Sequence, residues 1–196
     1  MNLITMNELI FATHNQNKTE EIRAILPQYK VLSLADIKYT DEIDETGTTL
    51  RANALIKAQT IFDALGKPCF ADDTGLEVHA LGGAPGVYSA RYAGVPSNAE
   101  NNMAKLLQEL AGAEDRSAAF KTVIAFIDEG GHPHFFEGTV EGDIVFEKAG
   151  DKGFGYDPLF RPAGYEQTFA EMTPIQKNEI SHRSRAVALF VSYLRM

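Results

Sequence analysis

The chain is short of several things, and each shortage narrows what it can be. A single cysteine, Cys69, excludes an internal disulfide framework and a cysteine-built zinc site. The five histidines do not fall at zinc-ligand spacings. No apolar run approaches the ~18 residues of a membrane-spanning helix. Neither Lys nor Arg precedes Lys18, so no secretory leader is expected, and the expected location is the cytoplasm. Basic residues are the minority, with 18 Lys and Arg against 27 Asp and Glu and a formal net charge of −9. That balance argues against general nucleic-acid binding and against adhesion to anionic membranes. Repeats, low-complexity tracts and Pro/Ser-rich linkers are missing too, as are the Gly-x-Ser-x-Gly of a serine hydrolase elbow and the Gly-x-x-x-x-Gly-Lys of a P-loop.

What is present is the composition of a globular protein, 196 residues with 44% hydrophobic and 23% charged. The length fits one domain, residues 1–196, or two small lobes sharing a core. Strand and helix signals alternate, which predicts an α/β architecture. Strands are expected at 8–13 and 29–34, with a helix between them at 18–26 stopped by Pro27. The strongest helix runs from Thr48 to Leu65, with Thr46 or Thr48 as cap and Gly66 as stop. A short strand from Cys69 runs into Asp72 and Asp73, and an amphipathic helix spans Asn98–Leu110. The middle reads as antiparallel, with strands at 118–128, 134–140 and 143–147. Thr173-Pro174-Ile175-Gln176 is a capping box with proline at the first helical position. Ser181 can cap the last helix, which places His182 and Arg183 in its first turn.

Five clusters carry chemistry. Thr13-His14-Asn15-Gln16-Asn17-Lys18 joins the first strand to the first helix. Hydroxyl, amides, helix-start N–H groups and a lysine converge there, as in an anion site; the plainer alternative is a capped loop–helix junction. Asp72-Asp73-Thr74-Gly75 pairs adjacent carboxylates, whose repulsion a divalent cation or a raised pKa relieves; the alternative is an acidic turn. Of the acidic residues Asp41, Glu42, Asp44 and Glu45, the last lies nearest the long helix and is the candidate metal carboxylate; alternatively the run is a solvated loop. Lys57 lies within that helix, where a lone lysine ordinarily faces solvent. Gly153-Phe154-Gly155-Tyr156-Asp157-Pro158 can expose an aromatic face for a base to stack on, with Asp157 reading an N–H edge, or it is a tight turn with Phe154 buried. Lys177, His182 and Arg183 complete the set, as ligand contacts or as caps and surface charges, together with Arg91, a phosphate contact or a structural ion-pair partner. Cys69, flanked by Phe70 and Ala71, reads as a buried thiol.

The order of these clusters is more specific than any one of them. Thr-x-Asn-x-x-Lys, Glu-Thr-Gly, Asn-Ala-x-x-Lys-Ala and Ala-Asp-Asp-Thr-Gly-Leu follow one another, then Gly-Ala-Pro-Gly-Val-Tyr-Ser-Ala-Arg-Tyr-Ala-Gly at 83–94. Gly-Phe-Gly-Tyr-Asp-Pro at 153–158 and Ile-Ser-His-Arg at 180–183 close the series. Over about residues 8 to 195 this resembles the inosine triphosphate pyrophosphatase family, especially its bacterial members acting on dITP and XTP. The resemblance implies an elongated mixed β-sheet with flanking helices and two lobes around a central substrate cleft. It implies hydrolysis of ITP, dITP and XTP to the monophosphate and pyrophosphate, with Mg²⁺, in a homodimer. By residue match, Thr13 to Lys18 hold the triphosphate with Lys57 assisting. Glu45 and Asp73 hold the metal, Asp73 takes the proton of the attacking water, and Asp72 supports them. Thr74 touches substrate, while Phe154, Gly155, Tyr156, Asp157, Lys177, His182 and Arg183 enclose the base and sugar.

The chain also departs from the family. Ala52 stands where Glu is common, so a contact made by that Glu elsewhere has no counterpart here. His14 replaces a common Gly or Asn, and Thr74 a common Ser. On an acidic protein, attraction of a polyanionic substrate must be local, through Lys18, Lys57, helix-start amides and Mg²⁺. A buried donor such as His182 or Arg183 favours the 6-keto oxygen of hypoxanthine or xanthine over the amino group of adenine. Two other functions fit the same residues, a nucleotide sensor without turnover and a pyrophosphatase for modified pyrimidine nucleotides.

Overall fold

The computed structural model describes residues 8–195. Strand β1, Glu8–Phe11, leads to helix α1, Gln16–Ile25, which starts earlier than the apolar spacing predicts because Asn15 caps it, its side chain accepting the Lys18 N–H. Strand β2, Lys30–Ser33, is followed by a long connection to helix α2, Leu50–Leu65. The cap of α2 is Thr49, in an extended conformation, rather than Thr46 or Thr48; its side chain accepts the Ala52 N–H, and left-handed Gly66 ends the helix. Strand β3, Cys69–Val78, continues through both carboxylates instead of stopping at them. Helix α3 is Ala99–Glu109, and strands β4 and β5 are Ser117–Ile127 and Pro133–Ile144.

The break expected near Glu141-Gly142 is absent. Gly142 instead pairs with Pro162 of an unpredicted strand β6, Phe160–Pro162, too short to give a periodic signal. Helix α4, Pro174–Ile180, opens on the Thr173–Gln176 capping box. Helix α5 is His182–Leu194. Ser181 Oγ accepts the Ser184 N–H at 3.1 Å, which puts His182 and Arg183 in its first turn as expected. Among the described residues, no helix is long and apolar enough to cross a membrane.

The strands form one sheet in the order β2-β1-β3-β4-β5-β6. Strand β1 is parallel to β2 and to β3, with Phe11 opposite Phe70, while β5 and β6 are antiparallel, so the sheet is mixed. The residues divide into two compact units. One holds the chain up to Asp73, with Val123–Phe136 and the stretch from Val187. The other holds Thr74–Thr122 and Glu137–Ala186.

Each unit has its own apolar core. In the first, Phe11 stacks on Phe70 at 4.6 Å, Phe70 meets Phe190 at 5.1 Å, and Phe190 meets Phe126 at 5.2 Å. The apolar face of α5 supplies Phe190, and the parallel strands supply Phe11 and Phe70. In the second, Leu76, Leu106, Phe120, Leu159, Phe160 and Phe169 are the centre of a buried cluster. Phe190 is fully buried and touches Phe70, Phe126 and Phe136. Phe190→Ala is therefore expected to lower unfolding free energy by about 3–5 kcal/mol. Urea unfolding of the two proteins measures this, and a change under about 1 kcal/mol would mean that the first unit does not depend on this ring.

Candidate functional site

In the first unit the site grows out of unequal strand lengths. Strand β1 ends at Phe11, and just past it Ala12 N–H still donates to Phe70 O of β3 at 2.7 Å. The chain then bends through Thr13 into α1, while β3 carries on through Asp72 and Asp73. Both carboxylates therefore lie past the carboxyl end of β1, where ligands collect in parallel sheets whose strand order reverses.

Strand alternation separates the two carboxylates. Successive side chains of β3 point to opposite faces, so Asp72 and Asp73 do not crowd each other as an acidic turn would. Strand β2 lies on one side of β1 and β3 on the other. Right-handed crossovers then put α1 and α2 on opposite faces of the sheet. Each helix delivers a lysine to its own carboxylate. Lys18 Nζ of α1 is 2.9 Å from Asp72 Oδ1, and Lys57 Nζ of α2 is 3.3 Å from Asp73 Oδ1. Cys69, on the same face as Asp73, donates from Sγ to Ala58 O of α2 at 3.2 Å. Burial pushes that thiol up to about 12, as an inert core cysteine requires.

Lys57 is not the solvent-facing lysine that its isolation on a helix predicts. It lies in the buried stripe Leu50, Asn53, Ala54, Lys57, Ala58 and Ile61, and is 8% exposed. Its ammonium also lies 2.7 Å from Glu45 Oε1, so two carboxylates converge on one cation. Burial works to lower the Lys57 pKa, but Asp73, Glu45 and Asp72 outweigh it and hold the ammonium above its ordinary value. For Asp73 the balance reverses. Burial raises its pKa, Lys57 and Lys18 oppose, Glu45 and Asp72 add to the rise, and the carboxyl ends above its usual range.

Glu45 is brought to Lys57 by the Glu-Thr-Gly turn. Gly47 donates its N–H to Asn53 Oδ1 at 2.7 Å. A Cβ on Gly47 would lie 2.6 Å from that oxygen and 2.8 Å from Ala52 Cβ, so only glycine lets the turn rest on α2.

The donors fit a hard divalent cation. Glu45 and Asp73 already share one positive charge, and Asp73 Oδ2 is buried without a hydrogen-bond partner among the described residues. No group of three or more His, Cys, Asp or Glu residues comes together among the described residues. An ion held by these two carboxylates would leave most of its coordination to other oxygens, water and substrate among them, which is the habit of Mg²⁺ rather than of a caged structural metal.

Beside this cluster, the 13–18 segment is a capped junction and still a candidate anion site. Thr13 is half-buried, while His14, Asn15, Gln16 and Asn17 are exposed. Thr13 Oγ1 accepts the Asn15 N–H at 3.1 Å, and the Asn15 cap occupies the Lys18 N–H. His14 Nε2 lies 3.1 Å from Asp41 O, tying the junction to the acidic loop.

The second unit gathers the remaining predicted residues. Asp157, 3% exposed, accepts the Phe154 N–H at 2.8 Å and pairs with Lys177 Nζ at 2.6 Å, both through Oδ2. Left-handed Gly153 makes room for it, since a Cβ there would lie 2.1 Å from the same oxygen. The carboxylate that is the candidate reader of a base edge also shapes its own loop. The half-buried Phe154 ring has Lys177 Nζ at 5.1 Å and Arg183 Cζ at 5.7 Å from its centroid, within cation–π range. Arg183 donates to Thr74 Oγ1 at 3.2 Å, and Thr74 shares a 2.7 Å hydroxyl contact with buried Thr122. His182 is buried and stacked on Phe120, with centroids 4.6 Å apart.

Tyr156 lies in the core, its hydroxyl donating to Ser89 O at 2.9 Å. Gly155 adopts a left-handed conformation between Phe154 and Tyr156. Arg91 lies over Tyr88 at 5.4 Å.

Sequence reasoning counted Asn53 in the Asn-Ala-x-x-Lys-Ala motif but gave it no role, and it passed over Thr122. Asn53 is a polar residue on the apolar stripe of α2, a signal that could have marked it. Thr122 carries no such signal within its strand.

Comparison with known proteins follows the same plan. The Ham1 family profile matches residues 9–193. The chain is 53% identical over 188 residues to the dITP/XTP pyrophosphatase of Christiangramia forsetii, covering 95% of this chain and 98% of that one. It is 52% identical over 191 residues to the dITP/XTP pyrophosphatase of Porphyromonas gingivalis, covering 96% and 98%. The solved structure of the Staphylococcus aureus Ham1 protein superposes with a TM-score of 0.87 at 40% identity, covering 96% of this chain and 98% of that one. A family profile spanning nearly the whole chain, near-complete relatives above half identity and a shared mixed sheet agree: the chain belongs to the Ham1 family.

Proposed function

We propose that this protein hydrolyses non-canonical purine nucleoside triphosphates, namely dITP, XTP and ITP, to the monophosphate and pyrophosphate, cleansing the nucleotide pool with the help of Mg²⁺. One observation carries the reading: Glu45 and Asp73 converge on buried Lys57 past the end of β1, with one Asp73 oxygen unpartnered among the described residues. The names of the curated relatives support the substrate class. On family resemblance, the proposal extends to a homodimer working in the cytoplasm.

Glu45 and Asp73 would hold the Mg²⁺. When bound, the ion neutralises phosphate charge, polarises the α-phosphate and makes water more acidic. Thr13 to Lys18 receive the triphosphate at the start of α1, where backbone amides and the helix dipole favour anions. Lys18 and Lys57 supply the fixed positive charge for the departing pyrophosphate. Asp72 holds Lys18 in place from below. Asp73 accepts the proton of the attacking water, and its burial-raised pKa makes it a better proton acceptor than an exposed aspartate.

The Phe154 ring serves as a stacking platform for the base, framed by Gly155, Tyr156 and the Asp157–Lys177 pair. Thr74, His182 and Arg183 complete that end. Arg183 can only donate, so a 6-keto oxygen satisfies it, while the amino group of adenine leaves a buried donor unpaired; guanine shares the 6-keto oxygen, so its exclusion must act through its 2-amino group. Such a mismatch can discriminate by roughly 10⁴–10⁵ in sites built for the correct partner.

A substrate panel with Mg²⁺, read by release of pyrophosphate, tests the whole reading. ITP, dITP and XTP are expected to turn over, and ATP, GTP, dUTP and TTP to be poor. Tight ITP binding without turnover would identify a sensor, and preference for the pyrimidine nucleotides would identify a different pyrophosphatase. Asp73→Asn is expected to lower kcat by about 10²–10⁴-fold while ITP still binds; near-native kcat would remove Asp73 as the proton acceptor. Phe154→Ala is expected to weaken ITP binding by roughly 1–3 kcal/mol, and unchanged affinity would take the ring out of the site.

A further inference from the structure

We infer that Asn53 is a positioning residue, which locks the Glu45–Gly47 turn onto α2 and thereby fixes where Glu45 presents its carboxylate to the divalent cation. The inference rests on the metal reading above. Asn53 is fully buried on the same stripe as Lys57, one helical turn before it. Its Oδ1 takes the Gly47 N–H at 2.7 Å, while its own N–H serves the helix by donating to Thr49 O at 3.1 Å. The contact has no slack, because even a Cβ on Gly47 would come within 2.6 Å of Oδ1 and 2.9 Å of the Asn53 nitrogen. Two residues back along the turn, Glu45 Oε1 reaches Lys57 Nζ at 2.7 Å. The loop and the lysine it must meet are therefore pinned to the same face of one helix, one by Asn53 and the other by its own backbone.

The chemistry of Asn53 argues that its role is specific. Its Nδ2 is buried and has no hydrogen-bond partner among the described residues. A buried amide donor left unsatisfied is unfavourable, and an apolar residue of similar volume would pack here without it. Packing alone thus selects against asparagine at this position. What asparagine supplies and leucine lacks is an acceptor for Gly47. Residues that orient a metal ligand in this way commonly alter metal affinity when replaced.

The test uses Asn53→Leu, which keeps the volume and loses the acceptor, and Gly47→Ala, which pushes the turn off an intact Asn53. Glu45→Gln is the reference for loss of the ligand itself. Three quantities are measured on the full chain: Mn²⁺ binding to nucleotide-free protein by loss of the free-ion EPR signal, the Mg²⁺ concentration for half-maximal kcat with ITP, and Tm. Both positioning variants are expected to weaken metal binding by roughly 10–100-fold and raise the Mg²⁺ midpoint in step. Asn53→Leu is expected to keep a near-native Tm and, at saturating metal, the native KM for ITP.

If Glu45→Gln shifts the metal midpoint while either positioning variant folds with the wild-type one, the role of Asn53 is overturned and the metal site stands. If Glu45→Gln leaves metal binding and midpoint unchanged, the metal reading fails and this inference with it. Should Asn53→Leu not fold, Gly47→Ala decides alone by the same midpoint.

Discussion

The carboxylate cluster of the first unit depends on a buried lysine. Lys57 sits in the apolar stripe of α2, and an ammonium there is tolerated only because Glu45 and Asp73 lie within ion-pairing distance. Such clusters are seldom selected for stability. The desolvation of each ion opposes their mutual attraction, and a well-packed apolar core usually does as well or better. What the arrangement provides is a fixed positive charge beside two carboxylates, in surroundings where electrostatic interactions are stronger than in water. The same burial that threatens the lysine lifts the Asp73 pKa, so one constraint sets the charge of the cation and the basicity of the acid.

Strand alternation is the second constraint, and it turns a dipeptide into two roles. Asp72 and Asp73 are neighbours in sequence yet belong to opposite faces of β3. One is held by a lysine from α1 and the other by a lysine from α2. The parallel β2-β1-β3 order makes this possible by placing the two helices on opposite faces. An acidic pair in a turn would have needed a cation simply to relieve its own repulsion. On a strand each carboxylate has its own partner.

In the second unit a glycine-rich loop is held fast around the half-buried Phe154 ring. Gly153 and Asp157 close the loop on itself, and Lys177 seals the Asp157 carboxylate from α4. Arg183, at the start of α5, is among the most deeply buried side chains, yet it reaches both Thr74 and the Phe154 ring. The short α4–α5 connection at Ser181 is what places Lys177 and Arg183 on one aromatic ring.

Much of this was legible in the residues. The helices at α2, α3 and α4 announce themselves through apolar spacing and caps, and the motif order identifies the family. The Ser181 cap was equally readable, since a hydroxyl ahead of an apolar run is a local signal. Longer-range features were not. Strand β6 is only three residues long and forms because β5 offers it an edge. Lys57 sits on the apolar stripe of α2, as Asn53 does, but nothing near it in sequence says which acids it meets. The two carboxylates that make its burial bearable lie 12 and 16 residues away. Local chemistry, then, determined which residues could act: the carboxylates, the lysines, the glycine turns and the aromatic loop. Tertiary structure alone decided which of them pair with one another, because charge pairing depends on distance through space, and only the packed sheet and helices set that distance.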